Sequence, residues 1–166
     1  INEDWYGVCL KDNVLQSQTN LNVRGGSDNI KYSVSGSYSN ENSIFTNGSL
    51  NYKTYAIRSN IDATVTKHLK VGFDLNGALE DGNYPTWSTS GTFGFLKQIP
   101  MVPVYWPNGL PSAGIENGIN PIISSSSLSG NNNQKEYKYL AKGSFDLSIP
   151  WVKGLGVDGY FAFTAN

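Results

Sequence analysis

Tyr55-Ala56-Ile57-Arg58-Ser59-Asn60-Ile61-Asp62-Ala63-Thr64-Val65 alternates almost residue by residue. Tyr55, Ile57, Ile61, Ala63 and Val65 are odd-numbered and apolar, and Arg58, Asn60, Asp62 and Thr64 between them are polar. Successive side chains of a strand point to opposite faces, so this period of two predicts a strand with one apolar and one polar face. The pattern returns with Val71, Phe73, Leu75 and Leu79 against Lys70, Asp74, Asn76 and Glu80. It returns again with Tyr137, Tyr139, Ala141, Phe145, Leu147 and Ile149 against Glu136, Lys138, Lys142, Ser144, Asp146 and Ser148. Helical periodicity of any length is hard to find. The expected fold class is therefore all-β, with antiparallel up-and-down strands.

Working outward, strands are expected at about 16–25, 30–40, 51–65, 69–80, 135–149 and 155–164, after a polar-aromatic lead-in over 1–15. Gly25-Gly26-Ser27-Asp28-Asn29 reads as a tight turn, because glycine and Asx residues tolerate positive φ. Short turns also fall at 66–69 and 150–154. Connections at 41–51 and 81–134 are longer, and the second carries most of the prolines and a Ser-Asn tract over 124–133. Within it, Phe93 to Ile99 is expected to form a helical turn or two before Pro100. Short and long connections thus alternate, as in membrane barrels with short periplasmic turns and long extracellular loops.

The chain has 166 residues, of which 39% are hydrophobic and 15% charged, and its formal net charge is -1. That near-neutral balance makes no electrostatic case for nucleic acid as a partner. No run of about 20 apolar residues forms a transmembrane helix, whereas a tilted membrane strand needs only about 9–11 residues. A single cysteine, Cys9, has no partner for an internal disulfide and reads as a small apolar residue. The chain opens without a signal peptide and stops inside a strand-like run, so it is expected to be an internal piece of a larger protein.

The apolar face faces either a protein core or lipid. Arg58, Asp62, Lys70, Asp74, Lys142 and Asp146 all lie on the even face. A basic residue at the bilayer midplane costs about 2–4 kcal/mol, so in a barrel the even face lines the lumen and the odd face meets lipid. Tyr52, Tyr55, Tyr137 and Tyr139 near strand ends suit an aromatic girdle. About six strands do not close a membrane barrel, whose minimum is about 8. The membrane reading therefore needs further strands. The alternative is a soluble β-sandwich or barrel that binds carbohydrate, with the odd face buried.

The stretch Gln18-Thr19-Asn20-Leu21-Asn22-Val23-Arg24-Gly25-Gly26-Ser27-Asp28-Asn29-Ile30-Lys31-Tyr32, continuing to Tyr38, resembles an early hairpin of SusC/RagA-type TonB-dependent outer-membrane transporters. Tyr52 to Asp62 resembles the following strand, and Val65 to Gly72 the periplasmic turn after it. Pro100-Met101-Val102-Pro103-Val104-Tyr105 and Lys153-Gly154-Leu155 fit in the same order. The resemblance implies a fragment of a barrel of about 22 strands, with the plug domain absent from this segment. It implies a place in the outer membrane of a Gram-negative, Bacteroidota-like bacterium. It further implies import of glycans or peptides, with a SusD-like lipoprotein, the TonB complex and outer-membrane lipid as partners and no cofactor.

Several residues carry a possible chemistry. Gly154, Gly156 and Gly159 match a dinucleotide-binding spacing, but that motif opens a helix, and an alternating strand follows here. His68 is the sole histidine and sits in a polar turn, which leaves neither a metal site nor a Ser-His-Asp centre. Asp62 and Asp74 form a candidate carboxylate pair for glycoside hydrolysis, although like charges directly opposed weaken a sheet. No catalytic residue is assigned, and the chain is expected not to be an enzyme. Arg58, Asn60, Asp62, Asp74 and Asn76 are expected to face the lumen. Tyr84, Trp87, Tyr105 and Trp106 in the long segment are candidate substrate-binding aromatics, or else pack that loop against itself, with Phe93 beside them in sequence. Asn47-Gly48-Ser49 is a formal glycosylation sequon, discounted for a bacterial protein.

Overall fold

A computed structural model describes residues 2–97, 100–114 and 118–166. Its elements are helix α1 (Trp5–Cys9), strands β1 (Ser17–Gly26), β2 (Ile30–Asn42), β3 (Asn51–Thr66) and β4 (Leu69–Pro85), helices α2 (Thr89–Phe95) and α3 (Pro121–Ser124), a 3-10 turn (Ser127–Ser129), and strands β5 (Asn131–Ser148) and β6 (Gly156–Ala165). The strands form one six-stranded sheet in chain order. That sequential order is the up-and-down arrangement the alternation predicts. The chain divides into two compact units: residues 1–17, 40–53 and 81–134, and residues 18–39, 54–80 and 135–166. Each is described by itself.

The second unit is a two-faced sheet. Tyr38 and Tyr55 pack with ring centroids 5.0 Å apart. A Cβ on Gly25 would meet Tyr32, one on Gly77 would meet Ile57 and Tyr139, and one on Gly159 would meet Phe145. These contacts put odd residues of β1, β3, β4, β5 and β6 on one face with the even residues of β2. The apolar set of β2 is Tyr32, Val34 and Tyr38, so its numbering parity is inverted while its chemistry stays in line. The polar face is continuous too: a Cβ on Gly72 would meet both Asp62 and Ser144. The β5–β6 register runs from Tyr139↔Ala165 to Ser148↔Gly156, antiparallel, and sets Asp146 opposite Asp158.

The tight turns of this unit differ in their physics. Gly25 and Gly26 do not adopt positive φ, contrary to the turn rationale read from the sequence. They are required by close approach instead: a Cβ on Gly26 would fall 2.3 Å from the Ile30 carbonyl oxygen. At 66–69 the Thr66 hydroxyl accepts from the backbone N–H groups of His68 and Leu69. Only the 150–154 turn uses a left-handed glycine, Gly154 at φ 85.

The first unit holds the hydrophobic core: Trp5, Cys9, Phe45, Leu96, Val104 and Ile122. The lead-in contains α1, which Asp4 caps by accepting from the Gly7 N–H. That helix turns Trp5 and Cys9 inward. The chain then bridges to the connection after β2, where Lys11 N–H donates to Ile44 O and Thr46 N–H to Cys9 O, both at 2.8 Å. The segment read as one loop over 81–134 is more structured. β4 continues to Pro85, β5 starts at Asn131, and α2 lies earlier than the expected turn because Ser88 caps it. Gln98 and Ile99, at the end of that expected turn, lie outside the described residues.

Asn120 ties this unit together. It is 2% exposed. Its amide donates to Val104 O at 3.3 Å and Ser112 O at 2.9 Å, while its oxygen accepts from Ile122 N–H and caps α3. Burial pushes the Cys9 thiol up to about 12 from its ordinary 9.0. The folded state thus holds the neutral thiol, and its contribution to stability is full below pH 9.0 and falls as pH rises toward 12.

Asn120→Ala orphans the Ser112 carbonyl and the Ile122 N–H, so it is expected to destabilise this unit by about 2–4 kcal/mol. Faster proteinase K cleavage within residues 81–134 of the full-length protein measures that loss, and an unchanged rate contradicts it. Cys9 is expected to stay unreactive to a thiol-disulfide reagent at pH 8 until the protein is denatured, and rapid labelling of the native protein contradicts the buried neutral thiol.

Candidate functional site

The polar face of the sheet unit carries the residues expected in a lumen. Asn60 donates to the carboxylate of Asp74, while Asp62 lies beside Gly72 on the neighbouring strand. The two carboxylates are therefore offset along the β3–β4 pair, and each has its own neighbour. The offset avoids the direct opposition of like charges that would weaken the strand pair. At the loop-side end of the same face, the Lys138 ammonium lies 2.7 Å from a Glu80 oxygen and 3.4 Å from Glu136. Nearer the tight turns, Lys142 sits 5.3 Å from the centre of the Tyr160 ring, a cation–π contact.

Two recesses open on this face. One, of about 510 Å³, is lined from all six strands and contains Arg58, Asn76 and Lys138. The other, of about 550 Å³, mixes carboxylates with lysines: Asp62, Asp146 and Asp158 with Lys70 and Lys142. On the opposite face an apolar recess of about 590 Å³ lies over Gly36 and Gly77, among Leu21, Ile57, Tyr38 and Tyr139. It has no counterpart in the sequence reading, and the missing side chains of Gly36 and Gly77 leave room in its floor.

The four aromatics singled out in the long segment are not one cluster. Tyr84 lies within β4, its ring over Gly82. Trp87 packs edge-on against Phe95 at 5.6 Å. Tyr105 and Trp106 sit on a small turn closed by Trp106 N–H to Leu110 O, with the Tyr105 hydroxyl 3.5 Å from the Asn47 amide. Phe93 packs on Phe45 at 5.2 Å, so it serves the unit's interior. Trp87, Tyr105 and Trp106 remain exposed.

The remaining motifs resolve simply. β6 begins at Gly156, so Gly154, Gly156 and Gly159 enter a strand, and no helix N-terminus is there to hold a phosphate. His68 receives a hydrogen bond on its carbonyl from Ser148 N–H, a backbone role in the turn. Among the described residues, no three His, Cys, Asp or Glu side chains group as metal ligands. Among the described residues, no helix is long and apolar enough to cross a membrane.

No family model matches the sequence. Among curated proteins, TonB-dependent receptor P3 of Formosa agariphila is 36% identical over 95 residues, which is 56% of this chain and 9% of that protein. TonB-dependent receptor P26 of the same organism is 26% identical over 111 residues, 65% of this chain and 10% of that protein. The chain thus spans about a tenth of the length of the curated relatives it matches. Among solved structures, the RagAB peptide importer in its closed-closed state superposes over 99% of this chain and 19% of that one, with TM-score 0.67 and 20% identity. The likeness to RagAB shows a shared fold, that of a segment of a β-barrel transporter.

Proposed function

We propose, for a chain of the TonB-dependent receptor family, that its sheet is a sector of an outer-membrane barrel wall in an importer of oligosaccharides or peptides. One observation carries this reading. Among the described residues, the hydrophobic core belongs to the unit with the helices. The apolar face of the sheet unit is left uncovered, with Ile61, Phe73, Phe145 and Phe163 exposed and Phe161 at 75%. In water such a face is a large unpartnered patch; in hydrocarbon it is the solvated surface. A soluble sandwich would bury the same residues, so the carbohydrate-binding alternative loses its main expectation.

Strand length supports the same reading. β3, β4 and β5 have 16, 17 and 18 residues, beyond the roughly 9–11 that a tilted crossing requires. Their ends would project past the hydrocarbon. Tyr38, Tyr55, Tyr137 and Tyr139 then lie at the interface on the side of the long connections, and Trp151, 85% exposed, lies in a tight turn on the other side. Tight turns face the periplasm and long connections the exterior. Arg58, Asn60, Asp62, Asp74 and Asn76 face the lumen. Exposed Trp87, Tyr105 and Trp106, with Tyr84, are offered to the solute or to a SusD-like lipoprotein. Energy would come through TonB. The description of RagAB as a peptide importer favours peptides as one solute class. No covalent step is assigned to the chain.

Lysine at Ile61, on the apolar face, is expected to cost about 2–4 kcal/mol near the bilayer midplane and to deplete the full-length protein from the outer membrane. Lysine at neighbouring Asn60, beside Asp74, is expected to leave outer-membrane levels intact. Equal tolerance of both, measured by quantitative blotting of outer-membrane fractions, contradicts the assignment of faces.

A further inference from the structure

The recess containing Arg58 differs from its neighbour in charge. Its lining holds two cationic side chains, Arg58 and Lys138, and no Asp or Glu among the described residues, with amide and hydroxyl groups of Asn20, Asn22, Ser35 and Asn76 set in a wall that is otherwise mostly apolar. Lys138 is already engaged by Glu80 and Glu136 from beside the recess. Arg58 has neither an ion-pair partner nor a hydrogen-bond partner among the described residues. The second recess, by contrast, sets Asp28, Asp62, Asp146 and Asp158 beside Lys31, Lys70 and Lys142, and its balance is negative. Arginine presents a planar fork of donors that matches a carboxylate or other oxyanion bidentately. It is carried here on a central strand of the sheet, which restricts it more than a loop would.

We propose that this recess is an oxyanion-binding site, with the Arg58 guanidinium gripping a carboxylate and the surrounding amides and hydroxyls supplying further donors. The proposal rests on the lumenal assignment of the polar face. The carboxylate has two possible sources, an acidic solute in transit or an Asp or Glu of the protein's own lumen-filling part. Lys138 is held by Glu80 and Glu136, so the grip on the anion falls to Arg58. The neutral donors matter for selectivity, because they accept an anion without presenting a competing negative charge.

The test uses crystals of the full-length protein grown without sulfate, phosphate or carboxylate buffers and soaked in sodium selenate. Anomalous density at the Arg58 guanidinium, absent from the R58Q variant, supports the site with the solute as source. A protein carboxylate seated on Arg58 supports it with the internal source. A guanidinium bound only to water, or equal selenate occupancy in R58Q, overturns it. The same maps show whether the polar face encloses a lumen, so a failure of the barrel assignment is seen separately from a failure of the anion site.

Discussion

Everything in the sheet unit depends on one mismatch: it has a continuous apolar face, while the hydrophobic core of the described residues belongs to the other unit. Each hydrophobic side chain kept from water is worth about 25 cal/mol per Å², so leaving such a face wetted is costly. Covering it with lipid removes the cost without any protein partner. On the proposed membrane reading the polar face lies inside, because arginine, lysine and aspartate are expensive in hydrocarbon. The six strands leave β1 and β6 at the two margins of the sheet, and an open edge in lipid strands backbone donors and acceptors. On that proposed reading, the constraint that turns the apolar face outward also calls for a paired neighbour at each margin.

The other unit solves a different problem. It has no repeating two-faced pattern, and its stability comes from side chains brought together from distant parts of the chain. Trp5 and Cys9 on a capped five-residue helix, Phe45 after β2, and Leu96, Val104 and Ile122 from the long connection share one interior. Asn120 satisfies backbone groups that would otherwise be orphaned in that interior. In this unit Trp87, Tyr105 and Trp106 stay exposed, although Trp87 also packs edge-on against Phe95.

The sheet was legible because alternation is a local, redundant signal: Tyr55 to Val65 repeats its message at every second residue. Even the parity inversion of β2 is visible in Tyr32, Val34 and Tyr38, once chemistry is followed instead of numbering. The offset of Asp62 from Asp74 was not legible, because register depends on turn geometry, here the Thr66 hydroxyl holding two backbone N–H groups. The roles of Gly25 and Gly26 were misjudged because a sequence does not distinguish a glycine needed for positive φ from one needed for close approach. Helix α1 was hidden for another reason. Five residues carry too little periodicity to announce a helix, and its cap and its contacts with the segment after β2 hold it. The unpaired state of Arg58 emerges only when the positions of Glu80, Asp62 and Asp74 are known.

The orientation of the two faces is tested most directly by spin labels placed singly on the full-length protein in lipid vesicles. Labels at Ile61, Phe73 and Phe145 are predicted to be relaxed strongly by oxygen and weakly by an aqueous nickel chelate. Labels at Asn60, Asn76 and Ser144 are predicted not to share that lipid signature. Loss of the contrast between the two sets, or oxygen-rich lipid exposure at Asn60 and Asn76, contradicts the account.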